Sequence, residues 1–140
     1  MKKILIVLMF ILIGIPFACK DKGDWAKPKS GEWVLNIDSC KIIFTVSPDG
    51  EEITELITTF SNFDCGGSLS ASLKGTVEIS QQPTGWIISE NKFKIETDIF
   101  SSVTLVLTGT FNKDGNKASG ECTVNMYGYI CSSNWTSENI

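Results

Sequence analysis

The sequence predicts an all-β fold, a single small antiparallel β-sandwich or closed β-barrel of about eight or nine short strands, on three observations. Short runs rich in Ile, Val, Thr, Phe and Trp are separated by Gly, Pro, Asn, Asp and Ser at intervals of about ten residues. Residues 103–111 place Val103, Leu105, Leu107, Gly109 and Phe111 at period two, the pattern of a half-buried strand. No segment carries a convincing helical period. At 140 residues and 42% apolar content the chain has enough material for one domain and too little for two.

The elements follow in order. Residues 33–37 are the first run. Residues 40–47 (CKIIFTVS) are the second, closed by Ser47-Pro48-Asp49-Gly50, a β-turn with Pro at its second position and Gly at its fourth. Residues 53–60 are ambiguous, because Ile53, Leu56, Ile57 and Phe60 also fit helical spacing. Five of these eight residues are Ile or Thr, and a short β-branched segment after a tight turn is read as a strand. Runs at 69–73, 76–80 and 86–89 follow, the last two split by Gln82-Pro83-Thr84-Gly85. In 92–97, Phe93 and Ile95 alternate with Lys94 and Glu96. After 103–111, Asn112-Lys113-Asp114-Gly115-Asn116 reads as a hairpin loop and 117–125 returns. Asn134-Trp135-Thr136, formally a glycosylation triplet, is read as the end of the last strand. Trp33, Phe44, Trp86, Phe93, Phe111 and Trp135 fall at inward-phase positions and are predicted core.

Ahead of this β domain (31–140) stands a targeting segment. Lys2 and Lys3 precede an apolar run over 4–15, too short for the roughly 20 residues of a spanning helix and suited to a signal peptide over 1–18. Ala18-Cys19 then gives way to Lys20-Asp21-Lys22-Gly23-Asp24. A small residue before Cys at the end of such a run resembles the bacterial lipobox, although Pro16 stands where Leu is usual. The expected outcome is cleavage before Cys19 and its lipidation. Plain secretion and an uncleaved anchor are the rival readings. Residues 19–30, polar apart from Trp25, are expected to carry the lipid and serve as a tether. Two acyl chains anchor effectively, so the membrane contact is expected through the lipid alone.

Charge and composition exclude several functions. All twelve basic residues are Lys, against sixteen acidic ones, and there is no Arg or His. Nucleic acid is an unsuitable partner for an acidic chain without guanidinium groups. Catalysis through His is impossible, and the commonest transition-metal ligand is missing. Without residues 1–18 the domain keeps ten bases and sixteen acids, a net charge of −6, which repels an anionic surface. Asn112, Asp114 and Asn116 imitate the start of a calcium loop, but Lys117 occupies the position that needs Gly. Asp49, Glu51 and Glu52 cluster beside a turn, where a solvated cluster is the default. Glu78, Glu90, Glu96 and Asp98 form no pair that stands out for glycoside hydrolysis. No enzyme activity, cofactor or metal is expected.

Cys19, Cys40, Cys65, Cys122 and Cys131 make an odd set. Lipidation of Cys19 leaves four, an even number that allows three disulfide connectivities in an oxidising compartment.

Short motifs run through the domain in order: Gly31-Glu32-Trp33, Ile43-Phe44-Thr45-Val46-Ser47-Pro48-Asp49-Gly50 with Ile53, Cys65, Asn91-Lys92-Phe93, Leu107-Thr108-Gly109-Thr110-Phe111, Ala118-Ser119-Gly120, and Cys131 with Trp135-Thr136. Together they resemble a widespread family of small secreted or lipid-anchored bacterial β-domains with no assigned biochemical function. The chain departs from the pattern in its extra cysteines, Cys40 and Cys122, and in Ser137, where Ala is usual. The resemblance implies a Cys65–Cys131 bridge, leaving Cys40–Cys122 as a second by subtraction. A bridge closing a loop of about 66 residues stabilises by about 4 kcal/mol in the chain-entropy model.

The expected function is a monomeric, lipid-anchored interaction module of the bacterial envelope, periplasmic or surface-exposed, with an unidentified protein or glycan partner. It would be secreted if Cys19 were not lipidated. Phe60, Phe63 and Asp64 form the candidate contact loop, with Tyr127 and Tyr129 also in irregular segments. The alternatives are a barrel that carries a small apolar ligand and an inhibitor of a host or rival hydrolase.

Overall fold

The computed structural model describes residues 24–65, 72–80 and 85–139. The signal segment, Cys19, Gly66 and Gly67, most of the 69–73 run and most of the 82–85 turn lie outside these residues. The described chain forms nine strands: β1 (Gly31–Ile37), β2 (Cys40–Val46), β3 (Glu52–Phe63), β4 (Leu73–Ser80), β5 (Trp86–Ile87), β6 (Lys92–Phe100), β7 (Val103–Phe111), β8 (Lys117–Met126) and β9 (Tyr129–Glu138). They build two antiparallel meanders, β1-β2-β3-β4 and β6-β7-β8-β9. Short β5 pairs with Glu52 and Ile53 on the edge of β3 that β4 occupies further along. The sheets pack face to face as a sandwich and do not close into a barrel.

Alternation sets the core. Trp33, Leu35 and Ile37 of β1, Ile42, Phe44 and Val46 of β2, and Val103, Leu105, Leu107 and Phe111 of β7 all point inward. Of the predicted core aromatics, only Trp86 is no more than partly buried. In β3 the inward positions are Ile53, then Leu56, Thr58 and Phe60. Thr45 pairs with Glu55 while Val46 pairs with Ile53, so Thr54 is an extra residue, a β-bulge. The bulge shifts the phase by one residue and explains the helix-like spacing of Ile53 and Leu56 in a strand.

Phe93, Gly109, Gly120 and Trp135 form one row across the second sheet. A Cβ on Gly109 would overlap the Phe93 ring and stand 2.8 Å from Trp135 Cζ2. One on Gly120 would stand 2.8 Å from Gly109 Cα. The two rings therefore lie over bare backbone, and the Trp135 indole N–H donates to the Thr108 carbonyl at 3.1 Å. Phe44 of the first sheet meets both, with ring centroids 5.1 Å from Phe93 and 6.2 Å from Trp135. Trp33 and Phe111 complete the cluster, 5.1 Å apart in edge contact.

Two readings are corrected. The runs at 76–80 and near 73 belong to one strand, β4, which passes through Gly75 at φ 134°. Tyr129, read as lying in an irregular segment, opens the strand β9, whose end holds Asn134, Trp135 and Thr136 as expected.

The glycine row and the one unsatisfied core hydroxyl each generate a prediction. Gly109→Ala should cost about 1–3 kcal/mol by overpacking, read as a lower urea midpoint at unchanged m-value. The Thr58 hydroxyl is buried with no partner among the described residues. Thr58→Val should therefore stabilise by about 1 kcal/mol in the same titration.

Candidate functional site

The sandwich has two chemically different ends. At one lie the 47–51 turn, the 112–116 loop and the chain entering before β1. Residues 24–30, read from sequence as tether, lie across this end as a strap joining both sheets. Ala26 N–H donates to the Lys113 carbonyl at 2.9 Å, and Lys29 N–H to that of Gly115 at 2.8 Å. Pro28 is buried between Gly50 and Gly115. Gly115 sits at φ 68° against the Lys27 carbonyl, a backbone and a clearance only glycine provides. The Trp33 indole reaches back to the Lys29 carbonyl at 3.0 Å.

The acidic cluster at the 47–51 turn is used locally. The Ser47 hydroxyl donates to Asp49, holding that carboxyl below its usual range, and the Glu51 N–H adds to this. Glu51 pairs with Lys27 at 2.8 Å, which raises the Lys27 ammonium pKa. Glu52 accepts the Gly85 N–H at 2.9 Å. The Asn112 side chain likewise turns inward on its own loop, accepting from the N–H groups of Asn116 and Lys117 at 3.0 Å. Glu96 pairs with Lys94, and Asp98 accepts the Thr104 hydroxyl.

Two open clefts flank the strap. One of about 320 Å³ is lined by Lys27, Glu51 and Ile87 among others. The other, of about 710 Å³, lies beside Trp25 on the outer face of β7, β8 and β9. Sequence reasoning missed this second cleft. Its available signal was Trp25, a lone large apolar residue in a polar stretch.

The opposite end holds the Cys65–Cys131 disulfide, with Cα atoms 5.3 Å apart and a sequence separation of 66. Of the candidate contact residues, Phe60 is corrected. It is 2% exposed, with its ring against Phe63 and Phe100, so it serves the core and not a surface. Phe63 is half-buried and Asp64 exposed beside the bridge. The β8–β9 hairpin projects Tyr127 from its turn and Tyr129 and Ile130 from the start of β9, with Ile130 69% exposed. Sequence reasoning singled out the two tyrosines and missed Ile130.

The expected second bridge does not form: Cys40 and Cys122 are free and buried. Cys40 belongs to β2 and Cys122 to β8, inner-face positions of opposite sheets. Each faces the core from its own sheet, where the two sulfurs remain separate thiols. Burial pushes each thiol up to about 12, with the neighbouring Cys122 adding to the shift at Cys40 and Glu121 to that at Cys122. Among the described residues no group of three or more metal-ligating side chains comes together.

The residues that carried the family resemblance converge on packing: Trp33, Phe44, Phe93, Gly109, Phe111, Gly120 and Trp135 all belong to the aromatic cluster or its glycine row. Ser137, the departure from that pattern, is 7% exposed and donates to the Val34 carbonyl at 2.9 Å, linking β9 to β1. Comparison with family models, curated proteins and solved structures found no match for the chain.

The thiols give a test with a defined sign. Both stay protonated in the fold above the pH at which they ionise in the unfolded chain. Their contribution is therefore complete below about pH 8.5 and falls toward pH 12, by about 1.4 kcal/mol per pH unit for each thiol. Native protein at pH 8 should resist iodoacetamide, while denatured, unreduced protein should take up label at Cys40 and Cys122 and none at Cys65 or Cys131. Alkaline unfolding should shift upward in the Cys40→Ala, Cys122→Ala double variant relative to its own stability at pH 7.

Proposed function

We propose that this chain is a lipid-anchored interaction module of the bacterial envelope, without catalytic activity, that recognises its partner on its outer surface. One observation carries the reading: the strap brings the N-terminal segment in at one end of the sandwich, and the apolar tip of Tyr127, Tyr129 and Ile130 stands at the other. From Cys19 to Asp24 an extended chain reaches at most about 18 Å. A lipid on Cys19 would therefore hold the strap end toward the bilayer and leave the tip facing away. The acidic domain needs no lipid-binding face of its own.

The interior supports surface recognition. Trp33, Phe44, Phe93, Phe111 and Trp135 fill the space between the sheets, which leaves the carrier alternative without a defined interior site. The inhibitor alternative relied on the 60–67 loop with its aromatics and acid, of which Phe60 is core, Phe63 half-buried and Asp64 exposed. Exposed aromatics with an aliphatic neighbour are the composition of protein contact surfaces.

Metabolic labelling with an alkyne fatty acid should mark the wild type and not Cys19→Ser. A photo-crosslinking residue at Ile130 should give a discrete adduct in intact envelopes, and one at Glu78, on the outer face of β4, should not. Equal labelling of both forms removes the anchor, and no adduct specific to Ile130 removes the tip.

A further inference from the structure

The cleft beside Trp25 joins an exposed indole to a row of hydroxyls. Thr110, Ser119 and Thr136 are direct cross-strand neighbours on β7, β8 and β9, so their exposed hydroxyls form one row along its floor. In the rows further from the strap, outer-face hydroxyls are engaged. Thr108 donates to the Glu121 carbonyl, Thr123 and Ser132 bond each other at 2.7 Å, and Thr104 donates to Asp98. Among the described residues no side chain or backbone group takes up the hydroxyls of Thr110, Ser119 or Thr136.

Trp25 forms the wall. Its indole is 53% exposed, yet the next residue is pinned by the Ala26 N–H bond to Lys113 and by Asn91 Nδ2, which donates to the Ala26 carbonyl at 3.4 Å. A large apolar ring is thus held at the rim of a hydroxyl row. The charges there, Lys117 and Glu138, neutralise each other at 2.6 Å. The volume of about 710 Å³ falls within the range of small-molecule sites.

We propose that this cleft is a binding site for a short neutral oligosaccharide. A sugar ring offers a C–H face to an indole and hydroxyls at its edge, and Ser and Thr hydroxyls both donate and accept. An apolar ligand would leave the row unpaired, and an anion would meet an acidic domain whose local lysine is already paired. The inference rests on the interaction-module reading but uses a different surface from the tip.

The test uses the full chain in micelles of a detergent without a sugar headgroup. Maltotriose, cellotriose and N-acetylglucosamine trimer are titrated calorimetrically, with trigalacturonic acid as the anionic control. At least one neutral trisaccharide should bind more tightly than the acid. Trp25→Ala should weaken it about tenfold or more, Trp25→Phe should lose less, and the Thr110→Val, Ser119→Ala pair should weaken it too. Tyr129→Ala, at the far end, should leave it unchanged, and all variants should keep the wild-type melting temperature within a few degrees. Three results overturn the proposal: no binding by any neutral trisaccharide, binding indifferent to Trp25→Ala, or a Trp25 emission shift on phosphatidylethanolamine–phosphatidylglycerol vesicles without any sugar effect. The fatty-acid label and the Ile130 adduct read the module independently, so either reading can fail while the other stands.

Discussion

Two absent side chains shape this domain. With Gly109 and Gly120 paired at the centre of the second sheet, the rings of Phe93 and Trp135 lean inward over bare backbone from the strands on either side. That convergence brings both within reach of Phe44, and through it of Trp33 and Phe111. A β-carbon on Gly109 would run into both rings and one on Gly120 into the backbone of Thr108 and Gly109, and packed interiors have no spare volume to absorb either. The size of the cluster and the facing of the two sheets follow from this one row.

Each sheet is a run of sequence-adjacent hairpins, so few main-chain bonds bind one sheet to the other. At the seam between β1 and β9 the ties are side-chain to backbone: Ser137 to Val34, and Asn139 Nδ2 to the Glu32 carbonyl at 3.2 Å. The ends are closed differently. A covalent bridge holds one and a hydrogen-bonded strap the other, with Pro28 filling the gap between the turn glycines. The strap end carries the charged turn and loop, with Trp25 and Ile87 exposed beside them, and the other end carries Tyr127, Tyr129 and Ile130.

Much of this fold was legible because period-two patterning is strong where one face is buried. Residues 103–111 coincide with β7, and the 40–47 run ends within one residue of β2. Legibility failed where the pattern is interrupted or thin. In β3 a single bulged residue, Thr54, mimics helical spacing, so the strand there was legible only from its β-branched content. In β9 the inward positions include Cys131, Ser133 and Ser137 beside only one large apolar residue, Trp135, so hydrophobicity scarcely marks it as a strand. Phe60 looked like a loop residue because β3 runs three residues past it. The even cysteine count pointed to two bridges, but it carries no information on whether β2 and β8 face each other at bonding distance. The Trp25 cleft was hidden for another reason: cross-strand rows of hydroxyls exist only once register is known.

The position of Cys40 bears on how the chain chooses its bond as it folds. As the polypeptide emerges from its N-terminus, Cys65 appears long before Cys131, and within the domain the only earlier competitor is Cys40. The first meander is complete by Ser80 and is built from local hairpins, which form quickly. Once β2 pairs with β3, Cys40 stands directly opposite Phe60 on the inward face. Once the second sheet closes over that face, the Cys40 sulfur is buried and its thiolate is suppressed, which removes it as a nucleophile. The closed sandwich thus acts as an internal protecting group for Cys40, while Cys65 is held by the partner 66 residues further along the chain.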